Sequence, residues 1–516
     1  MLTSKQVLAG HVRKAAKQYP VETVDTYTAA AQTFRIPFWD WAQDASLPAA
    51  VSSPTISFNS PSGPATMRNP LYSFQFPNFP FKSSQGGFGG SLAKFNETKR
   101  CTLVSGSTAG VSDIDQASSV LTSDGLQLQD KVYAVFTQST TFESMATMSN
   151  AGASFEEPHN VVHDDIACFS VAGHSGHMGD LNWSGFDPVF MLHHANVDRL
   201  YAMWQAINFN DPVFTTTQHG NALFGTAAGP ITADSPLRPF YASSSTSAGP
   251  VFHTSRSVEA MVSFGYTYPE INDWSLAPAD LASTVRAAVN NLYGPQASSD
   301  NTSGSKKTKR GTVSARTNRN NGITVDNVHV KGTPDITSTV TDAGSIQISP
   351  IPNAPILDTN DYSIEVGVDR SQLPLPCTIE LHLTGASSSS SSSSSNSYGG
   401  GGYRGRHAKI GSTSILSMPQ TGTSYSTTPL RRVLVGEATR RLAPEIFNDS
   451  NDVLARLQGL SVVIRTPNGT VVPVASVPSL SLTVQQRSYT PVSADNQFPR
   501  YGPVTQYPLT PQDLSL

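Results

Sequence analysis

The spacing of apolar residues changes character once along the 516 residues, and that change divides the chain. In the first part apolar positions recur at three and four, the period of a helix face. Val7, Leu8, Val12 and Ala15 line one side of a helix expected over 5–18, and a second helical stretch covers 24–34. Leu128, Val132, Val135 and Phe136 repeat in the same way within "LQLQDKVYAVFTQSTTFESMATM", and a further helix is expected over 279–292. In the last part the period is two, the mark of strands. Tyr362, Ile364, Val366 and Val368 alternate with polar neighbours, as do Ile379, Leu381 and Leu383. "SVVIRTPNGTVVPV", residues 461–474, reads as a hairpin around Pro467-Asn468-Gly469.

The expected organisation follows from that switch. Residues 1–295 form a mainly α domain with long loops, 346–490 a β-rich domain, and 491–516 a tail. Residues 296–345 are a basic, polar linker that proteases reach easily. The nine serines Ser387–Ser395 and the glycines after them mark 386–406 as a disordered surface insert. Residues 45–100, rich in Ser, Pro and Gly, read as a long ordered loop without regular elements.

Charge excludes several partner classes. A net charge of −4 gives no general attraction to nucleic acid or an anionic membrane. The basic run Lys306–Arg310 has no interleaved aromatics and reads as linker. No run reaches the ~18 apolar residues of a membrane span. The N-terminus "MLTSKQVLAGHVRKAAKQYP" lacks the apolar core of a signal peptide, so a cytoplasmic protein is expected. Cys101, Cys168 and Cys377 are odd in number and form no CxxC pair, so buried free thiols are expected.

Histidine is scarce, twelve in the whole chain, yet four fall in two short stretches, "HNVVHDD" (159–165) and "LHHANVDR" (192–199). On a helix, His159 and His163 share a face and aim at one point. An ion held there needs a further ligand, which His193 or His194 can supply. Asp198, one turn after His194, is placed to accept the N–H of an imidazole's other nitrogen and fix its tautomer. All-imidazole ligation suits Zn, Cu, Fe or Ni. Asn160 stands where a zinc-protease helix carries its general-base Glu, which argues against a hydrolase.

"SFEEPHNVVHDD", "GHMGD" and "FDPVFMLHHANVDRLYAMW" together resemble the second copper site of tyrosinases, the type-3 copper polyphenol oxidases, and the fungal branch in particular. "FRIPFWDWA" resembles the family's segment between its two copper sites, and "FGYTYPEI" its tyrosine-x-tyrosine motif, here Tyr266 and Tyr268. The β-rich region resembles the fungal C-terminal domain that caps the active site until it is cut away. The resemblance implies a four-helix-bundle copper domain followed by that cap. It implies copper ligation by His159, His163 and His194, with His193 a neighbour behind them, and a water positioned by Glu156 and Asn160 to deprotonate the phenol. The family's first copper site uses three histidines N-terminal to the segment resembled by "VLAGHVRKAAKQYP". Met1 follows that point, so one copper site is expected here against two in the complete family fold.

The implied activity is oxidation of monophenols and o-diphenols to o-quinones with O2, as in melanin-type pigment synthesis. A hemocyanin-like O2 carrier and an inactive one-copper remnant are the alternatives.

Overall fold

The computed structural model describes residues 2–81, 90–106, 109–210, 216–218, 229–243, 249–295, 360–384, 407–417, 421–434, 450–467, 469–492 and 494–512. The linker 296–345 and the insert 386–406 therefore lie outside the described residues.

Apolar residues at helical spacing build the first part. Helices α1 (Leu2–Ala16) and α2 (Val24–Gln32) pack against each other. The long α3 (Ile114–Gln138) starts at Asp113, whose carboxylate accepts the Gln116 backbone N–H and satisfies a donor the helix cannot. It is followed by α4 (Glu156–Ala167), α5 (Val189–Ile207) and α6 (Pro278–Tyr293). Helix α3 packs on α4 and α6, and α5 packs on α6. The four share a core that includes Leu128, Val132, Val162, Ile166, Leu200 and Val285. The expected helical domain is present.

Residues 45–100 are not wholly irregular. Strands β1 (Thr55–Ser60) and β2 (Gly63–Arg68) form an antiparallel hairpin, from Thr55 opposite Arg68 to Ser60 opposite Gly63. Most of its side chains are exposed on both faces, so no apolar alternation marks it.

The cysteine expectation is corrected at two positions. Cys101 and Cys168 are joined in a disulfide, and only Cys377 is free and buried. The partners are 67 residues apart in sequence and meet because Thr102–Leu103 pairs antiparallel with His174–Ser175. Cys168 adopts a left-handed conformation, φ 60°, that stops α4 and turns the chain back toward Cys101.

Period-two residues build two antiparallel sheets. One orders β6 (Thr423–Pro429), β3 (Asn360–Asp369) and β9 (Ser481–Thr490), and the other β5 (His407–Ile415), β4 (Cys377–Thr384), β7 (Leu460–Arg465) and β8 (Val471–Val472). Ile464 faces Val472 across the β7–β8 hairpin. Tyr362, Ile364, Val366 and Val368 of one sheet join Ile379, Leu381 and Leu383 of the other in a single core. Within 491–516, read as a tail, the described residues continue the structure: β10 (Arg500–Tyr501) and β11 (Thr505–Leu509) both pair with β9. Tyr507 and Leu509 pack on the sheet core, but so short an alternating run carries little signal.

The β domain docks on the bundle with β5 against α4 and β6 against α3. The seam is polar. Lys409 Nζ lies 2.7 Å from Asp124 Oδ2, Arg432 Nε 2.6 Å from Asp130 Oδ1, and the Thr378 hydroxyl donates to Asp164 Oδ2 at 3.1 Å. Glu157 accepts the Thr427 backbone N–H at 2.9 Å and also pairs with buried Lys131. Burial pushes the Asp164 carboxyl up to about 8 despite hydroxyl donors from Ser414 and Thr378.

Candidate metal centre

Two helical features bring the histidines together. His159 and His163 are four apart on α4, so their rings meet edge-to-face along one side of the helix, with centroids 4.7 Å apart. Helix α5 is fixed opposite by its own first turn. Asp187 accepts the Val189 N–H at 3.1 Å and holds the buried guanidinium of Arg100 through Nη2 at 2.6 Å. That anchoring presents His193 and His194 to α4.

The result is a convergence of nitrogens. His194 Nε2 lies 3.2 Å from His159 Nε2 and 3.3 Å from His163 Nε2. Ligands about 2 Å from one tetrahedral ion stand roughly 3.3 Å apart, so the spacing fits a single metal. Among the described residues, His159, His163, His193 and His194 form the one His/Cys/Asp/Glu group able to hold an ion, with one nitrogen from each within 4.8 Å of the others.

Hydrogen bonds set which nitrogen faces inward. His163 Nδ1 donates to the Met178 backbone carbonyl at 2.6 Å. His159 Nδ1 donates to Asn160 Oδ1 at 2.8 Å. Each ring then carries its proton on Nδ1 and offers a lone pair at Nε2. Lone pairs from both rings point at His194 Nε2, an arrangement a cation relieves. Burial, reinforced by His159, lowers the His163 pKa to about 3, and burial with its histidine neighbours lowers His194 to about 2. The His163 and His194 rings stay neutral and available as ligands.

His193 is fully buried, its ring stacked on His159 with centroids 5.0 Å apart, and neither of its nitrogens has a hydrogen-bond partner. Asp198 is mostly buried, which raises its carboxyl, and its charge acts on Tyr266 and Tyr268. Glu156 and Asn160 flank the same ring. Glu156 Oε2 lies 3.9 Å from His159 Nδ1, and Asn160 Nδ2 donates to the Ser414 carbonyl of β5 at 3.3 Å.

His11, His174 and His177 stand outside the group. His177 anchors the segment that supplies the Met178 carbonyl: its Nδ1 accepts the Lys99 N–H at 2.9 Å, and its ring packs edge-on against Trp183. Sequence reasoning missed the Met178 carbonyl, because a backbone acceptor has no residue-type signature. "GHMGD" beside the ligand helix was the available signal.

Behind the ligands one buried cation ties three quoted motifs together. Arg199 of "HHANVDR" reaches Asp40 of "FWDWA" at 3.0 Å, Glu270 of "YPEI" at 2.6 Å and the Tyr293 hydroxyl at 3.0 Å.

Residues 14–207, which hold all four clustered histidines, match the family described as the common central domain of tyrosinase. Over those residues the chain is similar to the central domain of tyrosinases. A tyrosinase of Podospora anserina is 32% identical over 308 residues, covering 56% of this chain and 51% of its own. A tyrosinase of Neurospora crassa is 30% identical over 306 residues, covering 56% and 42%. The chain thus spans about half the length of the curated relatives it matches. A recombinant mushroom tyrosinase shares the tyrosinase fold with a TM-score of 0.70 at 18% identity, over 99% of this chain and 83% of that one. An Aspergillus oryzae pro-tyrosinase variant does so with a TM-score of 0.64 at 18% identity, over 99% of this chain and 81% of that one.

Proposed function

We propose that the protein is a copper oxidoreductase of the tyrosinase type, oxidising monophenols and o-diphenols to o-quinones with O2. The observation that carries this reading is the convergence of three imidazole nitrogens at 3.2 and 3.3 Å inside a tyrosinase domain. His159, His163 and His194 would hold the copper, with His193 packed behind them. Bound copper supplies the binding and activation of O2.

The protein's own residues handle the proton. Glu156, at 41% side-chain exposure, keeps contact with water while Asn160 is buried beside it. Between them they would hold the water that takes the phenolic proton, with the Glu156 carboxylate as its final acceptor. Monophenols need that step most, since o-diphenols give up a proton more readily.

A second reading has one specific observation in its favour: a single metal group among the described residues. On that reading the chain binds one copper and turns nothing over. Copper loading followed by O2 uptake with catechol and with tyrosine separates the two. Uptake with a phenol supports the oxidase. One tightly held copper and no uptake supports the second reading.

A further inference from the structure

The Asn160 side chain has one acceptor and two amide hydrogens, and every one is engaged. Oδ1 accepts the His159 Nδ1–H at 2.8 Å. Nδ2 donates to the Ser414 backbone carbonyl at 3.3 Å and faces Met148 Sδ at 3.5 Å. The residue is 1% exposed, so no water completes or replaces these contacts cheaply. Ser414 belongs to β5, which faces Thr378 of β4 across the sheet, 254 residues along the chain from Asn160. One amide therefore bridges a metal-ligating imidazole and a second domain.

We propose that Asn160 couples the metal site to the docked β domain, so that metal at His159 tightens docking and docking holds Asn160 away from any other acceptor. The link rests on the reading that the histidine group binds copper, but not on turnover of a phenol. Metal at Nε2 withdraws charge from the imidazole and makes its Nδ1–H a stronger donor. A stronger bond to Oδ1 polarises the amide, and the amide N–H then binds the Ser414 carbonyl more strongly. The coupling is reciprocal, since a ligand that tightens docking is itself bound more tightly by the docked form. Undocking frees one amide hydrogen, which is what the proposed water needs.

The test uses the full chain and Cu(II) alone. Backbone hydrogen exchange over Lys409–Ile415 is compared with and without copper. In the wild type, copper should slow exchange roughly five-fold or more, the low end of ordinary coupling between sites. Asn160→Asp keeps an acceptor for His159 but has no amide hydrogen for Ser414. It should still bind copper, and the copper-dependent slowing should vanish. Thr378→Val removes a docking bond that bypasses the ligand, to Asp164 Oδ2. It should speed exchange in the strand, leave the copper-dependent slowing in place and weaken copper binding. Copper that binds the wild type without slowing the strand overturns the proposal, as does equal slowing in Asn160→Asp. If Asn160→Asp fails to fold, unchanged copper affinity in Thr378→Val overturns it independently. Coupling without O2 uptake on catechol would count against the oxidase reading alone, and uptake without coupling against the link alone.

Discussion

His159 and His194 face each other across two helices with their Nε2 atoms 3.2 Å apart. Two neutral acceptors at that distance repel unless a proton or a cation lies between them, so the pair is set up for an ion. His193 sits beside them with its ring stacked on His159. His194→Ala should abolish copper retention after dialysis, whereas His193→Ala should keep most of it. Metal analysis of the two variants checks the assignment. Copper retained without His194 and lost without His193 would reverse the roles.

Arg199 gives the second prediction. It is 1% exposed and carries a forked contact to Glu270, with Nε at 3.1 Å and Nη2 at 2.6 Å. Lysine keeps the charge but not the fork. Arg199→Lys should destabilise the fold by about 2–3 kcal/mol and Arg199→Ala by about 3–5 kcal/mol, because alanine leaves Asp40 and Glu270 without their cation. Urea unfolding measures both. Changes below about 1 kcal/mol would show that these motifs are held together elsewhere.

The sheet side of the seam predicts acid sensitivity. Burial would raise the Glu380 carboxyl, yet the His382 hydrogen bond and the charges of Lys409 and Arg465 outweigh it and hold the pKa at about 2, below its ordinary 4.5. The unfolded chain therefore binds the extra proton first. Glu380 contributes its stability in full above about pH 4.5 and loses it as pH falls toward about 2. Urea midpoints should drop over that window, and Glu380→Gln should flatten the drop. A Gln variant with the wild-type slope would assign the loss to other carboxyls.

Thiol counting tests the Cys101–Cys168 bond. Denatured without reductant, the protein should show one reactive thiol, Cys377, and after reduction three. Reduction should also lower stability by roughly 2–4 kcal/mol, since the bond closes a long loop. Three thiols before reduction would restore the free-thiol expectation.

Limited proteolysis should cut first within 296–345 or 386–406, where the sequence is polar and carries no apolar period. On the capping reading, cleavage in the linker should raise phenol oxidation. A fall in activity would instead make the β domain a folding partner.

What the sequence disclosed follows the reach of each physical signal. The period of Leu128, Val132 and Val135 is local, and those residues are buried on α3. The four-residue step from His159 to His163 is equally local, so the face the two rings share was legible. The Cys101–Cys168 bond and the Ser414 carbonyl at Asn160 join positions 67 and 254 residues apart, with no repeating pattern to connect them. The β1–β2 hairpin was hidden for a different reason. It is held by its backbone ladder rather than by a buried face, and a backbone ladder leaves no mark on residue type.

The polar seam between the domains fixes what happens if they separate. The bundle would carry Asp124, Asp130, Glu157, Asp164 and Asp165 with Lys131 into water, and the sheets would carry Lys409 and Arg432 with Glu380. The two halves would part as pieces of opposite net local sign, drawn back together at low ionic strength and left apart at high. Salt, more than temperature, then sets how quickly a severed β domain finds its seat again.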